Sequence, residues 1–186
     1  MNPFAILARH YDPATELHRI LVVHSVLVAG KAIQIARQYL DRSPQASIDM
    51  EFLEEAAILH DIGIQRCYSP EIFCEGKERY VCHGFIGREI LEGEGLPRHG
   101  LACERHTGAG ITREEVLREG LPMPERDYLP LSLEEKILCV ADKFFSKTPH
   151  KLWREKSLAK VEKSLGKYGP DVLERWARLR TEILGQ

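Results

Sequence analysis

The stretch that decides the reading of this chain is EEAAILHDIGIQR, residues 54–66. Ala56 to Leu59 form an apolar run that ends on His60 and Asp61, two groups costly to bury and well suited to hold a metal. Taken alone, the pair reads equally well as a capped helix end. The other histidines move the balance. His24 lies within an apolar helical pattern. His83 opens a helix just after a charged loop, and His106 closes one just before Thr107-Gly108. Asp142 interrupts the apolar run ILCVADKFF, residues 137–145. A buried carboxylate without a partner is expensive, and one metal centre offsets the burial of all these groups together.

Outward from this stretch the periodicity is helical. Leu17, Ile20, Leu21, His24, Leu27, Val28, Lys31 and Ile35 step by three or four, as one helix face does, and Asp12-Pro13 reads as the N-cap and first residue of that helix. Asp49 caps a second helix through about His60, with Gly63 at its exit. A third helix starts at His83 and is ended by Gly93 and Gly95. Pro97 opens a fourth that runs to about His106. Thr112 and Glu115 form a capping-box pattern for a short helix over 112–120. LPMPERDYLPL, residues 121–131, holds three prolines and reads as a loop. Ser132 caps LEEKILCVADKFFSK, and two further helices are expected around 149–165 and 170–184. β-branched alternation is nearly absent, so the expected fold class is all-α.

At 186 residues and 44% hydrophobic content the chain is long and apolar enough for one globular domain, 1–186, with a motif core over 18–148. The C-terminal helices, 149–186, with Trp153, Tyr168 and Trp176 at apolar steps, are expected to supply packing or a homodimer contact. Lys and Arg number 26 against 28 Asp and Glu, for a net charge of −2, which gives no reason to expect nucleic acid or an anionic membrane as partner. No apolar stretch reads as long enough to span a bilayer, since the best candidate, HRILVVHSVLVAGKAIQIA, carries charged and titratable groups. The N-terminus lacks the pattern of a signal peptide. The five cysteines are odd in number and widely spaced, which fits reduced thiols in a cytoplasmic protein.

The order His24, His60-Asp61, His83, His106, Asp142 resembles the HD superfamily of metal-dependent phosphohydrolases. The HDIG tetrapeptide at 60–63 is a hallmark of one of its subgroups, and the match runs from His24 to Lys143 with HG at 83–84, HTG at 106–108 and AD at 141–142. Motif order and short length look most like the small bacterial and archaeal HD proteins, among them the symmetrical diadenosine tetraphosphate hydrolases. The resemblance implies an HD-type helical bundle and a metal site of His24, His60, Asp61 and Asp142. It adds His83 and His106 for a second ion, with Asp61 bridging the two. It further implies divalent transition metals such as iron, manganese or zinc, hydrolysis of a phosphate ester or anhydride by metal-activated hydroxide, and a small phosphorylated substrate such as a nucleotide or dinucleotide. No GYP stretch is present and Ile64-Gln65 follow HDIG, which argues against cyclic di-GMP as substrate. HTGAG, residues 106–110, has one threonine where the diadenosine tetraphosphatases usually show two. The rival reading is a ligand-binding or regulatory HD protein that holds metal without turnover.

Besides Asp61, the best catalytic candidate is Lys143, which beside Asp142 can offer a point charge to a substrate phosphate; the plain alternative is a surface lysine. Arg66 and Lys147 are weaker candidates of the same kind, and the 121–131 loop is a candidate wall of the pocket. His10, His18, His99 and His150 match no family position. His18 is expected to be partly exposed and His99 solvated.

Overall fold

The structure, a computed structural model, describes residues 1–186. The long helix that carries His24 is α2 (Glu16–Arg42), and it forms the central post of a helical bundle. It packs against α3 (Met50–Leu59), α7 (Leu133–Asp142) and α9 (Pro170–Leu184). α4 (His83–Gly93) and α5 (Pro97–Arg105) lie against each other, and α5 closes onto α3 and α7. The core between them is one cluster of 40 buried apolar residues. The only strands are a hairpin of β1 (Tyr68–Ser69) and β2 (Cys74–Glu75), so the expected all-α class holds. All five cysteines are free and buried.

Local rules account for the helix starts. Asp49 accepts from the Phe52 amide, and reciprocal capping boxes open α6 (Arg113–Arg118) at Thr112 and α7 at Ser132. Four expectations are corrected. α2 is capped by Thr15, because Asp12 instead folds a turn in which its side chain accepts from the Ala14 amide. α7 ends at Asp142 rather than at Lys147, the backbone tightening into bonds from Lys143, Phe144 and Phe145 to carbonyls three residues back. The segment 149–165 is not one helix: a single 3-10 turn, Pro149–Lys151, precedes α8 (Leu158–Leu165). Finally, α2 is by length and composition apolar enough to cross a membrane, with a mean hydropathy of 1.5 in its most apolar window. Half of that window is buried within the bundle, which is where its apolarity is used.

A helix that periodicity passed over, α1 (Pro3–His10), packs on α3. Just beyond it, buried Tyr11 donates its hydroxyl to the Ile62 carbonyl at 2.7 Å and accepts from the Gln65 amide at 3.2 Å. These bonds clamp the turn that follows His60-Asp61. Gly63 closes that turn for a reason other than helix exit. Its backbone is right-handed, but a Cβ there would run into the His83 carbonyl and lie 2.6 Å from the Gly87 amide. The missing side chain lets the HDIG turn press against the start of α4.

Replacing Tyr11 by Phe leaves the Gln65 amide and Ile62 carbonyl without that partner in the interior. Denaturant unfolding should show a loss of about 1–3 kcal/mol relative to the parent chain.

Candidate metal centre

Three of the histidines are placed by one device. His60 follows the last residue of α3, His106 follows the last residue of α5, and His83 follows the 3-10 turn Tyr80–Cys82. The last carbonyls of an ended helix lack a partner further along it, and the Tyr80 carbonyl, which the His83 amide also bonds, keeps a second lone pair to accept with. Each imidazole meets one of them: His60 Nδ1 with Ala57 O at 2.7 Å, His83 Nδ1 with Tyr80 O at 2.6 Å, His106 Nδ1 with Cys103 O at 2.6 Å. A carbonyl only accepts, so each Nδ1 carries a proton and each Nε2 faces inward, where it can take a proton or a metal. His24 reaches the same point from the middle of α2.

The inward nitrogens converge on two carboxylates. His24 Nε2 lies 3.2 Å from Asp61 Oδ2 and 3.0 Å from Asp142 Oδ1; His60 Nε2 lies 3.0 and 3.4 Å from the same atoms. On the other side, His83 and His106 Nε2 lie 3.4 and 3.6 Å from Asp61 Oδ1, and 3.0 Å from each other. Asp61 thus divides its oxygens between two imidazole pairs. All six residues are at most 8% exposed. The structure therefore brings together His24, His60, Asp61, His83, His106 and Asp142.

The donor set fits metal. Neither Asp61 oxygen nor His60 Nε2 has a well-formed hydrogen bond, although each is fully buried. His83 and His106 point acceptor nitrogens at each other, an arrangement that only a proton or a cation between or beside them relieves. The donor atoms form two groups, His24-His60-Asp61-Asp142 and Asp61-His83-His106, each with its atoms within 4.8 Å of one another.

Electrostatics separate the imidazoles. Burial works against a charge on His60, but Asp61 and Asp142 outweigh it and push its pKa up to about 9. Burial and the neighbouring His106 push His83 down to about 3, and burial lowers His106. Burial opposes ionisation of both aspartates, yet His60 and Lys147 hold Asp61, and Lys143 and Lys147 hold Asp142, well below the usual carboxylate range.

The other candidates separate clearly. Lys143 Nζ sits 2.6 Å from Asp142 Oδ2 and donates to the His106 carbonyl at 3.1 Å, so its charge is engaged within the site. Lys147, the weaker candidate, reaches the other carboxylate, with Nζ 2.6 Å from Asp61 Oδ2. Arg66 is exposed and stands outside the cavity. That cavity, about 880 Å³, opens from His83, His106 and Asp142. Of the 121–131 loop only Leu121 reaches it; Tyr128 is instead buried and pairs with Ile111. The C-terminal segment, expected to supply packing or a homodimer contact, forms a wall of it through Lys156, Val161, Leu165, Tyr168, Val172 and Arg175. Trp176 is buried, whereas Trp153 and Tyr168 are exposed and pack little. His99 is not solvated: it lies within α5, 3.2 Å from Glu55 and edge-on to Phe52. His10 pairs with Glu94, His18 is partly exposed, and His150 is exposed.

A helical bundle that gathers four imidazoles and two carboxylates in its interior is the arrangement of the HD class, a superfamily of metal-dependent hydrolases. The chain belongs to that family: the HD domain model matches residues 21–146. It is similar to an uncharacterized protein of Methanocaldococcus jannaschii, 35% identical over 164 residues, which are 88% of this chain and 87% of that protein. It is also similar to proteins named tRNA (cytidine(56)-2'-O)-methyltransferase. The one from Thermoplasma volcanium is 29% identical over 171 residues, 89% of this chain but 43% of that protein. The one from Picrophilus torridus is 38% identical over 99 residues, 53% of this chain and 25% of that protein. This chain thus spans less than half the length of those two relatives. No solved structure gives a significant match.

The raised pKa of His60 sets the sign of metal uptake with pH. At neutral pH the metal-free protein holds a proton on His60 that a cation at Nε2 must displace, so binding releases protons and tightens as pH rises toward about 9. Calorimetric manganese titration in buffers of different ionisation enthalpy should detect release of about one proton. Affinity that stays constant between about pH 6 and 8.5 would contradict this.

Proposed function

We propose that the protein is a dinuclear metal-dependent phosphohydrolase that cleaves a phosphate ester or anhydride of a nucleotide or dinucleotide. The observation that carries the reading is the division of Asp61, with Oδ2 turned to His24 and His60 and Oδ1 turned to His83 and His106. His24, His60, Asp61 and Asp142 would hold one ion, and Asp61, His83 and His106 a second. Mixed imidazole and carboxylate donors suit iron, manganese or zinc. When bound, such ions supply an activated water nucleophile and neutralise charge on a transferring phosphoryl group.

The chain's own residues do the rest. The three helix-end carbonyls hold the imidazoles with Nε2 inward, which sets ligand direction before any ligand arrives. Lys143 holds Asp142 and acts as a positioning residue. Lys147, 2.6 Å from Asp61, places a cation at the floor of the cavity. The cavity has room for a nucleoside phosphate, and the tyrosines Tyr68 and Tyr168 stand exposed among its lining residues. The regulatory alternative draws its support from the relatives named as tRNA methyltransferases, where the matching segment is a minor part of a longer chain.

A panel of nucleotides and dinucleotides, assayed with manganese-reconstituted protein, tests the reading. Asp61→Ala should abolish turnover and most metal binding, whereas His99→Ala should do neither. His83→Ala or His106→Ala should lower metal content by about one ion per chain with the helical circular dichroism intact. Metal binding without hydrolysis of any substrate in the panel would favour the regulatory alternative, and a wild-type content that never exceeds one ion would remove the second site.

A further inference from the structure

The cavity floor holds three ammonium groups, and their partners differ. Lys143 is paired with Asp142 Oδ2 and Lys147 with Asp61 Oδ2, both at 2.6 Å. Lys156 forms no ion pair. Its Nζ donates to two backbone carbonyls, Lys143 O at 3.2 Å and Phe145 O at 2.9 Å. Its own amide donates to Phe144 O at 2.8 Å, so the residue is stitched to the segment that directly follows Asp142. Lys156 is partly buried and lines the same cavity as His83, His106 and Asp142. The other cavity cations without a carboxylate partner, Arg79 and Lys167, are exposed.

An ammonium withdrawn from water without a counter-ion is unfavourable. Two of its three protons are occupied by carbonyls that fix its position, which leaves one to donate into the cavity. Burial lowers its pKa and Asp142 opposes that effect, as expected of a cation that lacks an anion of its own. Nothing in the packing requires a charge there, because an uncharged donor would satisfy either carbonyl.

We propose that Lys156 is a specificity-determining residue that donates to a phosphoryl oxygen and favours a phosphate dianion, the terminal phosphate of a nucleotide or other phosphomonoester, over a phosphodiester monoanion. The proposal rests on the phosphohydrolase reading and narrows it, because a dinucleotide offers no terminal phosphate. Lys143 and Lys147 are each matched by an aspartate, so Lys156 contributes positive charge beyond what the paired groups cancel. That surplus favours the more highly charged anion.

The test is direct binding, which does not require turnover. Manganese-loaded protein is titrated calorimetrically with inorganic phosphate, above its second pKa, and with dimethyl phosphate, a monoanion. Lys156→Gln should weaken phosphate binding roughly tenfold or more and dimethyl phosphate binding less than about threefold. Metal content and circular dichroism should not change. Lys156→Arg, which keeps charge and donors, should recover most of the phosphate affinity. Unchanged phosphate binding in Lys156→Gln overturns the proposal. So does an equal loss for both anions, which would mark a purely structural role through the Lys143 and Phe145 carbonyls. Wild-type, metal-loaded protein that binds neither anion overturns the phosphohydrolase reading and this proposal with it, whereas wild-type protein that binds dimethyl phosphate but not phosphate, or phosphate binding matched by Lys156→Gln, overturns this proposal alone.

Discussion

The burial of Asp61 is the constraint on which the rest of the structure depends. Its carboxylate is wholly withdrawn from water, and neither oxygen has a well-formed hydrogen bond. Such a group is tolerated only when opposite charge or strong donors surround it. Four imidazoles and Lys147 do surround it, drawn from five separate places along the chain. Placing them requires α2 to pass the end of α3, α4 and α5 to begin and end beside it, and α7 to stop on it.

Close approach makes that convergence possible. The HDIG turn touches the first turn of α4 because Gly63 has no side chain, and α4 lies on α5 because a Cβ on Gly87 would collide with Cys103 Sγ. Gly84 contributes in the same way: a Cβ there would meet the Cys103 carbonyl at 2.9 Å. These glycines serve helix-to-helix contact rather than access for a ligand. Tyr11 adds a clamp on the other side of the turn through its bonds at Ile62 and Gln65. The centre is therefore rigid before it meets any ligand, which is what ligand geometry demands of a metal site.

Much of this was legible in the order of residues. Helix starts at Asp49, Thr112 and Ser132 followed from capping chemistry that is local in sequence. His24, His60, Asp61 and Asp142 were legible because costly groups standing in apolar runs need a common explanation, and His83 and His106 because the motif order resembles that of the HD superfamily. What escaped was non-local. Lys147 ranked only as a weaker candidate than Lys143, because nothing in the sequence shows that the chain turns back after Asp142 and brings it to Asp61. Lys156 lies in the charged stretch WREKS, residues 153–157, with no signal of its own. His99 looked solvated beside Pro97, but Glu55 and Phe52 come to it from α3.

The sequence by itself determined that the protein is helical, where most helices begin, and which six residues need one another. Periodicity, caps and the cost of burying charge act over a few residues or on each residue alone, so they can be read without coordinates. Only the tertiary structure decided how Asp61 divides its oxygens, which nitrogen of each histidine faces inward, and which lysines lack a carboxylate. It also decided that the C-terminal helices wall the cavity rather than merely pack behind it. Those outcomes depend on distances between segments far apart in the chain, and such distances are set by side-chain packing across helices, which no local pattern records.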